Sequence, residues 1–448
     1  MTRRLHSVDP LAAVAVNQHP YFGHGKIEVL PKIAVGSLID IATVYTPGVA
    51  FSVREIIDRP SALHDLTAKD NTIGVVTDGS AVLGWGAVGP RPALPVIEGK
   101  AAMFKLLAGV DAVPLCLDVT SHDELLLVMR SLEPGFGGFN LEDVAAPGCF
   151  EVMRRLEEEL PVPCIHDDQN GTATVVVAAL INACKVLGRS PQDQVVVING
   201  AGAAGSAIFA LLSRLGVRDI IVNDRNGILN GDQVYAASHL NEIASRSNRR
   251  RLHGRLADAL KGANVFVGVS VAKQLNADVV RTMAPDPIVF ALANPEPEIM
   301  PEAAVAGGAA IVATGRFDYA NQCNNVLAFP ALMRAALDTR AHRLDLDVFL
   351  AAAVSIAKEV PDEELSPTNI LPTALSETLY PRVAEETARA IVMRGLARID
   401  PGAGAVAANT SALRALVAGR QAALPGAKDV SSSRGQHDVP TIKQPETT

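Results

Sequence analysis

The sequence predicts an α/β fold in which an N-terminal α/β domain precedes a second, doubly wound one, and three observations predict it. The first is Val195-Val-Val-Ile-Asn-Gly-Ala-Gly-Ala-Ala-Gly-Ser-Ala207, a β-branched run that feeds through Gly200-x-Gly202-x-x-Gly205 into a helix-forming run, Ser206 to Leu215. A second apolar run, Asp219 to Asp224, follows and ends on an acid. The second observation is alternation: strand-like runs recur at 265–269, 287–291 and 309–313, with helical sequence between them. Alternating strands and helices build a parallel sheet with helices on both faces. The third is length, since 448 residues exceed one ordinary domain and Pro161-Val-Pro163 breaks the chain between two sets of strands.

Taken in order, residues 1 to about 20 have weak helical character, and 21–50, rich in Gly, Lys and Pro, read as loop with short strands. Asn71–Thr77 is a buried strand closed by a turn at Asp78-Gly79, and Gly99–Val110 has helical apolar spacing. Ala112–Leu117 is a strand, Ser121–Leu132 a helix, Gly135–Phe139 a turn into a short strand and Ala146–Leu160 a helix with an acidic face. Gly171–Leu187 is a long apolar helix, expected to be buried between domains. Helices fill 328–362 and 380–397, and from about Pro425 the Ser-, Gly- and Pro-rich composition predicts disorder. The expected division is 1–162 for the first domain, 163–398 for the second with its C-terminal helices, and 399–448 for an extension.

In the second domain Gly200 permits the tight turn, Gly202 lets backbone approach a pyrophosphate, and Gly205 lets helix pack on strand. Ala203 and Ala204 open the helix, whose free N–H groups and dipole suit phosphates. Asp224 lies roughly 20 residues beyond the turn, where an acid hydrogen-bonds a ribose hydroxyl. This is a Rossmann-type dinucleotide site. Asp224 favours NAD by repelling a 2′-phosphate, while Arg225 beside it leaves NADP as the alternative.

Composition narrows the rest. Forty basic against 48 acidic residues give a net charge of −8. Arg249-Arg-Arg251 stands out as a basic block and reads as a solvated helix end, so nucleic-acid binding has little support. Aromatics make up only 4%, so aliphatic side chains must fill the core. The five cysteines are scattered without zinc-ligand spacing, which predicts free thiols in a reducing cytoplasm. The N-terminus lacks an apolar signal segment, and no run is long enough to span a membrane.

Two acidic clusters sit beside apolar sequence: Glu142-Asp143 at a strand end, and Asp167-Asp168 ahead of the long helix. Carboxylates gathered this way suit Mg²⁺ or Mn²⁺. On local grounds they serve equally as surface acids and helix N-caps. Tyr45, in the turn Tyr45-Thr-Pro-Gly48, reads locally as a packed or exposed turn tyrosine. Lys100 opens an apolar helix against the macrodipole, yet a solvated lysine explains it too. Asn294, Asn324 and Asn325 follow strand ends, where open α/β sheets bind ligands, although asparagine is also a common turn residue.

Together these segments resemble the malic enzymes, in particular the shorter bacterial type. The matching pieces, in the family's order over about residues 20–380, are Tyr21-Phe-Gly-His-Gly-Lys26, Tyr45-Thr-Pro-Gly-Val-Ala50, Val76-Thr-Asp-Gly79, Glu98-Gly-Lys100, Asn140-Leu-Glu-Asp143, His166-Asp-Asp-Gln169, Gly200-Ala-Gly-Ala-Ala-Gly205, Ala293-Asn-Pro295 and Asn324-Asn-Val326. The resemblance implies a malic-enzyme N-terminal domain and oxidative decarboxylation of L-malate to pyruvate and CO₂, with reduction of NAD(P). Tyr45 is implied as general acid and Lys100 as general base. Glu142, Asp143 and Asp168 are implied as metal ligands with Asp167 close by, and Asn294, Asn324 and Asn325 as substrate contacts. A homodimer is the expected assembly. Malolactic decarboxylation to lactate is the alternative, and a silent dinucleotide sensor the reading from another class. Departures fall at Trp85 and Ala87 (family GLGNxGP), Gly148 (family Arg), Asn170 (family His) and 372–380. The lost arginine at 148 bears on carboxylate anchoring.

Overall fold

The structure, a computed structural model, describes residues 25–422. The weak helical character read for residues 1 to about 20, most of the Tyr21–Lys26 segment and the tail from about Pro425 lie outside these residues.

Four parallel strands form the first sheet: β1 (Thr72–Thr77), β2 (Asp111–Cys116), β3 (Gly138–Leu141) and β4 (Cys164–His166), in the order β2-β1-β3-β4. Every residue of β3 and β4 is buried, as an all-parallel sheet covered by helices requires. Ser121 caps the helix His122–Leu132, its side chain accepting from the Glu124 N–H. The helix predicted from Gly99 begins at Pro90 and runs to Ala108. Pro90 and Pro92 fall in its first turn, where a missing N–H costs nothing.

The second sheet has six strands: β5 (Val195–Asn199), β6 (Asp219–Asp224), β7 (Gly227–Ile228), β8 (Val265–Gly268), β9 (Ile288–Ala291) and β10 (Ile311–Thr314). Their order is β10-β9-β8-β5-β6-β7, with β7 alone antiparallel. The chain leaves β5 toward β6 and later returns to β8 on β5's other side. A ligand crevice therefore opens between the C-terminal ends of β5 and β8. β5 is buried throughout, and each such Val or Ile contributes about 1.5–3 kcal/mol over an exposed one.

The long helix predicted from Gly171 starts at Asp167 and extends to Val186, directly after β4. It packs against Ala203–Leu215 and Leu346–Lys358 and joins the main core cluster, so it links the two sheets. Helices Phe329–Asp338, Leu346–Lys358, Leu379–Met393 and Ala405–Ala422 follow.

Several expectations are overturned. Lys100, expected to open its helix, sits in the middle of it, Arg249–Arg251 lies beyond the helix end at Arg246, and the helical stretch 328–362 is broken between Asp338 and Leu346. The loop with short strands expected over 21–50 is instead helical over Leu38–Val44, and a second helix spans Val49–Asp58. Ser37 caps the first, accepting from Asp40, and Thr46-Pro47-Gly48 only separates the two. Neither helix has a buried residue: Leu38 is 84%, Ile39 74% and Phe51 78% exposed. Among the described residues no helix is long and apolar enough to cross a membrane.

Candidate active site

The C-terminal ends of β3 and β4 carry the acids. Glu142 and Asp143 follow β3, and Asp167 and Asp168 open the helix after β4. Lys100 reaches the same point from the middle of Pro90–Ala108. Its Nζ lies 2.7 Å from Glu142 and makes a closer contact with Asp167, and it sits 4.3 Å above the Phe329 ring. Lys100, Glu142, Asp143 and Asp167 are all at most 8% exposed. The acids predicted separately from two clusters are thus brought together with the predicted lysine.

Four carboxylates gather about one ammonium, and the ionisation of the three buried ones reflects it. Burial pulls the Lys100 ammonium down, but Asp167 and Glu142 more than offset this and hold it above its ordinary value. Burial drives Glu142 well above the usual carboxylate range, against the attraction of Lys100 and with the repulsion of Asp168. Asp143 is pushed up to about 7 by burial and then by Asp168, and Asp167 to about 6 by burial, which Lys100 partly offsets. Such a site is short of positive charge.

A divalent cation fits that shortage. Ligand oxygens of Glu142, Asp143 and Asp168 lie within 4.8 Å of one another, and the buried Asp143 Oδ2 and Asp167 Oδ1 have no hydrogen-bond partner. Asp168 Oδ2 accepts from the Asp143 N–H at 2.9 Å, which fixes the two segments in register. Asp143 adopts φ 55°, a left-handed conformation that turns its side chain back from the strand end. Gly171 is required here, because a Cβ would stand 1.8 Å from Asp167 Oδ1 and 3.2 Å from Asn325 Cβ. Asn325 therefore adjoins the cluster, whereas Asn324 uses its side chain to accept from the Val326 N–H.

The glycine turn has the shape predicted for it. Gly200 has φ 122° and approaches the Val269 carbonyl after β8, and a Cβ at Gly205 would lie 1.7 Å from the Gly200 oxygen. Gly202 has nothing within 4 Å of its Cβ position, leaving the N-terminus of Ala203–Leu215 open to a phosphate. Asp224 ends β6 and accepts from the N–H groups of Asn226 and Gly227, so this acid closes its own turn. Asn294 follows β9, its amide packed where a side chain at Gly315 would stand.

The two halves touch beside this turn. Phe150, from the helix Gly148–Glu159, stacks on His239 with centroids 4.5 Å apart, and a His239 ring nitrogen lies 3.1 Å from the Ala201 oxygen. Gly148 leaves room for His122, whose ring would stand 2.0 Å from a Cβ there. The imidazole thus occupies the place where the family's arginine would begin.

Tyr45 is not brought to the cluster within one chain. It caps Leu38–Val44, is 69% exposed, and makes no hydrogen bond to Lys100 or the acids among the described residues.

Two further residues were not singled out from sequence. His166, fully buried, places Nε2 3.4 Å from Asp168 while Gln169 donates to its Nδ1 at 3.0 Å, and burial lowers its basicity. Glu298, fully buried, accepts from the Ser270 and Ala293 N–H groups and so ties the ends of β8 and β9 together. The signal for Glu298 was an acid four residues beyond Asn294 in an apolar setting.

Known proteins share this arrangement. A family model described as malic enzyme, N-terminal domain, matches residues 24–157, and one described as malic enzyme, NAD binding domain, matches 169–391. The chain is 47% identical over 380 residues to a bifunctional malic/malolactic enzyme of Bacillus subtilis, covering 84% of this chain and 93% of that one. It is 46% identical over 389 residues to an NAD-dependent malic enzyme of Geobacillus stearothermophilus, covering 86% and 81%. The crystal structure of a malic enzyme from Pyrococcus horikoshii superposes with a TM-score of 0.88 at 38% identity, covering 95% of this chain and 100% of that one.

Proposed function

The chain belongs to the malic enzyme family, and from that premise we propose how its residues divide the work of oxidative decarboxylation of L-malate to pyruvate and CO₂ with reduction of NAD(P). The observation that carries the proposal is the buried Lys100–Asp167–Glu142 contact beside a three-carboxylate cation site.

When bound by Glu142, Asp143 and Asp168, Mg²⁺ or Mn²⁺ supplies Lewis-acid polarisation of the substrate's C2 oxygen. The Gly200–Gly205 turn would hold NAD, which would supply the acceptor for the C2 hydride. Lys100 receives the C2 hydroxyl proton and shares it with Asp167, which it already contacts. For that step Glu142 must be engaged by the cation, since its charge otherwise helps to keep Lys100 protonated. The C4 carboxylate then departs as CO₂, its bonding electrons forming the C2–C3 double bond of an enolate. Tyr45 protonates C3 to give pyruvate. Asn294 and Asn325 orient the substrate, with Asn324 bracing that turn. Asp224 favours NAD over NADP.

In this scheme residues 1–162 supply Lys100, Glu142 and Asp143, and 163–398 supply Asp167, Asp168 and the dinucleotide site. A homodimer completes it. Tyr45 stands between two helices whose apolar residues are unburied among the described residues, and within its own chain it makes no hydrogen bond to the cluster among those residues. A second copy is the partner assigned to those faces, with Tyr45 crossing to its site.

The direct test is the full chain with L-malate, Mn²⁺ and either NAD or NADP, following reduced cofactor and product together. Pyruvate and reduced cofactor in equal amounts are expected. Lactate without net reduced cofactor would move the assignment to the malolactic reaction, which the Bacillus subtilis relative's name includes.

A further inference from the structure

A cavity of about 720 Å³ lies on the second domain, away from the catalytic cluster. Its size is that of a small-molecule site. It is lined by Arg218, Arg246, Arg249 and Arg251, with Asp232 as the one carboxylate. Arg246 is paired with Glu242 at 3.3 Å, but Arg218, Arg249 and Arg251 have no carboxylate partner among the described residues. This contrasts with the chain's net charge of −8. Two helices, Ala203–Leu215 and Ser238–Arg246, end nearby, and each C-terminus brings about half a negative charge, which four guanidiniums outweigh.

Ser247 makes this more than a basic patch. It lines the cavity, is 8% exposed, and its Oγ is buried without a hydrogen-bond partner. A buried hydroxyl left unpaired costs about 1–3 kcal/mol, which a ligand oxygen relieves once a rotamer change turns Oγ from its buried position into the cavity. The segment carrying it is also held firmly. The Asn248 N–H donates to the Ile220 oxygen at 2.7 Å, and the buried Asn248 side chain bonds Leu229 and Leu252. The three arginines are therefore presented by fixed backbone.

We propose that this cavity is a second, non-catalytic anion site that takes a phosphorylated small molecule. Guanidinium forks match phosphoryl oxygens, and a serine hydroxyl adds a neutral donor. The site is separate from the dinucleotide cradle: Arg218 precedes β6, whereas Asp224 ends it, roughly 17 Å further along the strand.

Inorganic pyrophosphate is the probe, titrated calorimetrically into the metal-free full chain with and without saturating NAD. With NAD filling the cradle one pyrophosphate per chain is expected, and without NAD the same binding persists alongside any at the open glycine turn. Arg249→Ala with Arg251→Ala should weaken it at least about tenfold, and Ser247→Ala about fivefold. These variants should keep wild-type malate turnover, since none touches the catalytic cluster, and without ligand none should melt below wild type, with Ser247→Ala melting higher because it loses an unpaired buried hydroxyl. Absence of saturable binding, equal affinity in the variants, or loss of binding when NAD is present would each overturn the proposal.

Discussion

Lys100 shows how one residue's chemistry depends on groups far away in sequence. Its partners come from positions 142 and 167, and they decide whether its buried amine carries a proton. Gly171 has an equally specific task, since any side chain there collides with Asp167 Oδ1. Gly171→Ala should lower kcat by at least about 100-fold, because a displacement of about 1 Å at a reacting group costs that much, while NAD affinity stays within about twofold. At Asp224, replacement by Ser removes the charge that repels a 2′-phosphate. The ratio of kcat/KM for NAD to that for NADP should fall at least about tenfold. Glu298 gives a pH signature. Burial raises its folded pKa, so the folded state binds its proton more tightly than the unfolded state. Its contribution to stability is present at low pH and is lost as pH rises through the folded value. Urea unfolding of wild type and Glu298→Gln at about pH 5 and about pH 8 should show the wild type relatively more stable at the lower pH. An unchanged difference would remove burial of an ionising Glu298 as the cause.

Elements differ in how plainly the sequence announces them. The unit β5, glycine turn, helix and β6 was legible because its signals are local: β-branched runs, three glycines at fixed spacing and an acid at the end. Gly205→Ala tests that unit, since a Cβ 1.7 Å from the Gly200 oxygen must push helix from strand. Dinucleotide affinity should drop at least about tenfold, with Mn²⁺ affinity retained. The helices Leu38–Val44 and Val49–Asp58 were missed for the opposite reason. Their proline and glycine signals suggested loop, and their apolar residues meet no core among the described residues that would have marked a buried face. The acids at the ends of β3 and β4 were visible as clusters, yet spacing alone left caps and ligands equally open. Only the β3–β4 pairing, which sets Leu141 beside His166, places the two clusters side by side. The Tyr45, Lys100 and acid roles came from the family resemblance, because no local pattern joins positions so far apart.

At the scale of the whole molecule, uncovered apolar helices and a tyrosine outside its own cluster point to a site shared between copies. Co-expression of Tyr45→Phe and Lys100→Ala chains tests this. Random pairing makes half of the dimers mixed, each with one intact site of two, so about one quarter of wild-type activity should return. If Tyr45 serves its own chain, mixed dimers hold no intact site and activity stays absent. Phe51→Asp should shift sedimentation toward the monomer and lower turnover with it, while leaving NAD binding in place. The claim beneath all of these is that the buried lysine among the carboxylates moves the substrate's proton. The most direct measurement is malate turnover of Lys100→Ala with NAD and Mn²⁺, paired with its NAD dissociation constant. Turnover reduced at least about 1,000-fold with NAD affinity within about twofold is the predicted result. Wild-type turnover in that variant would contradict the account.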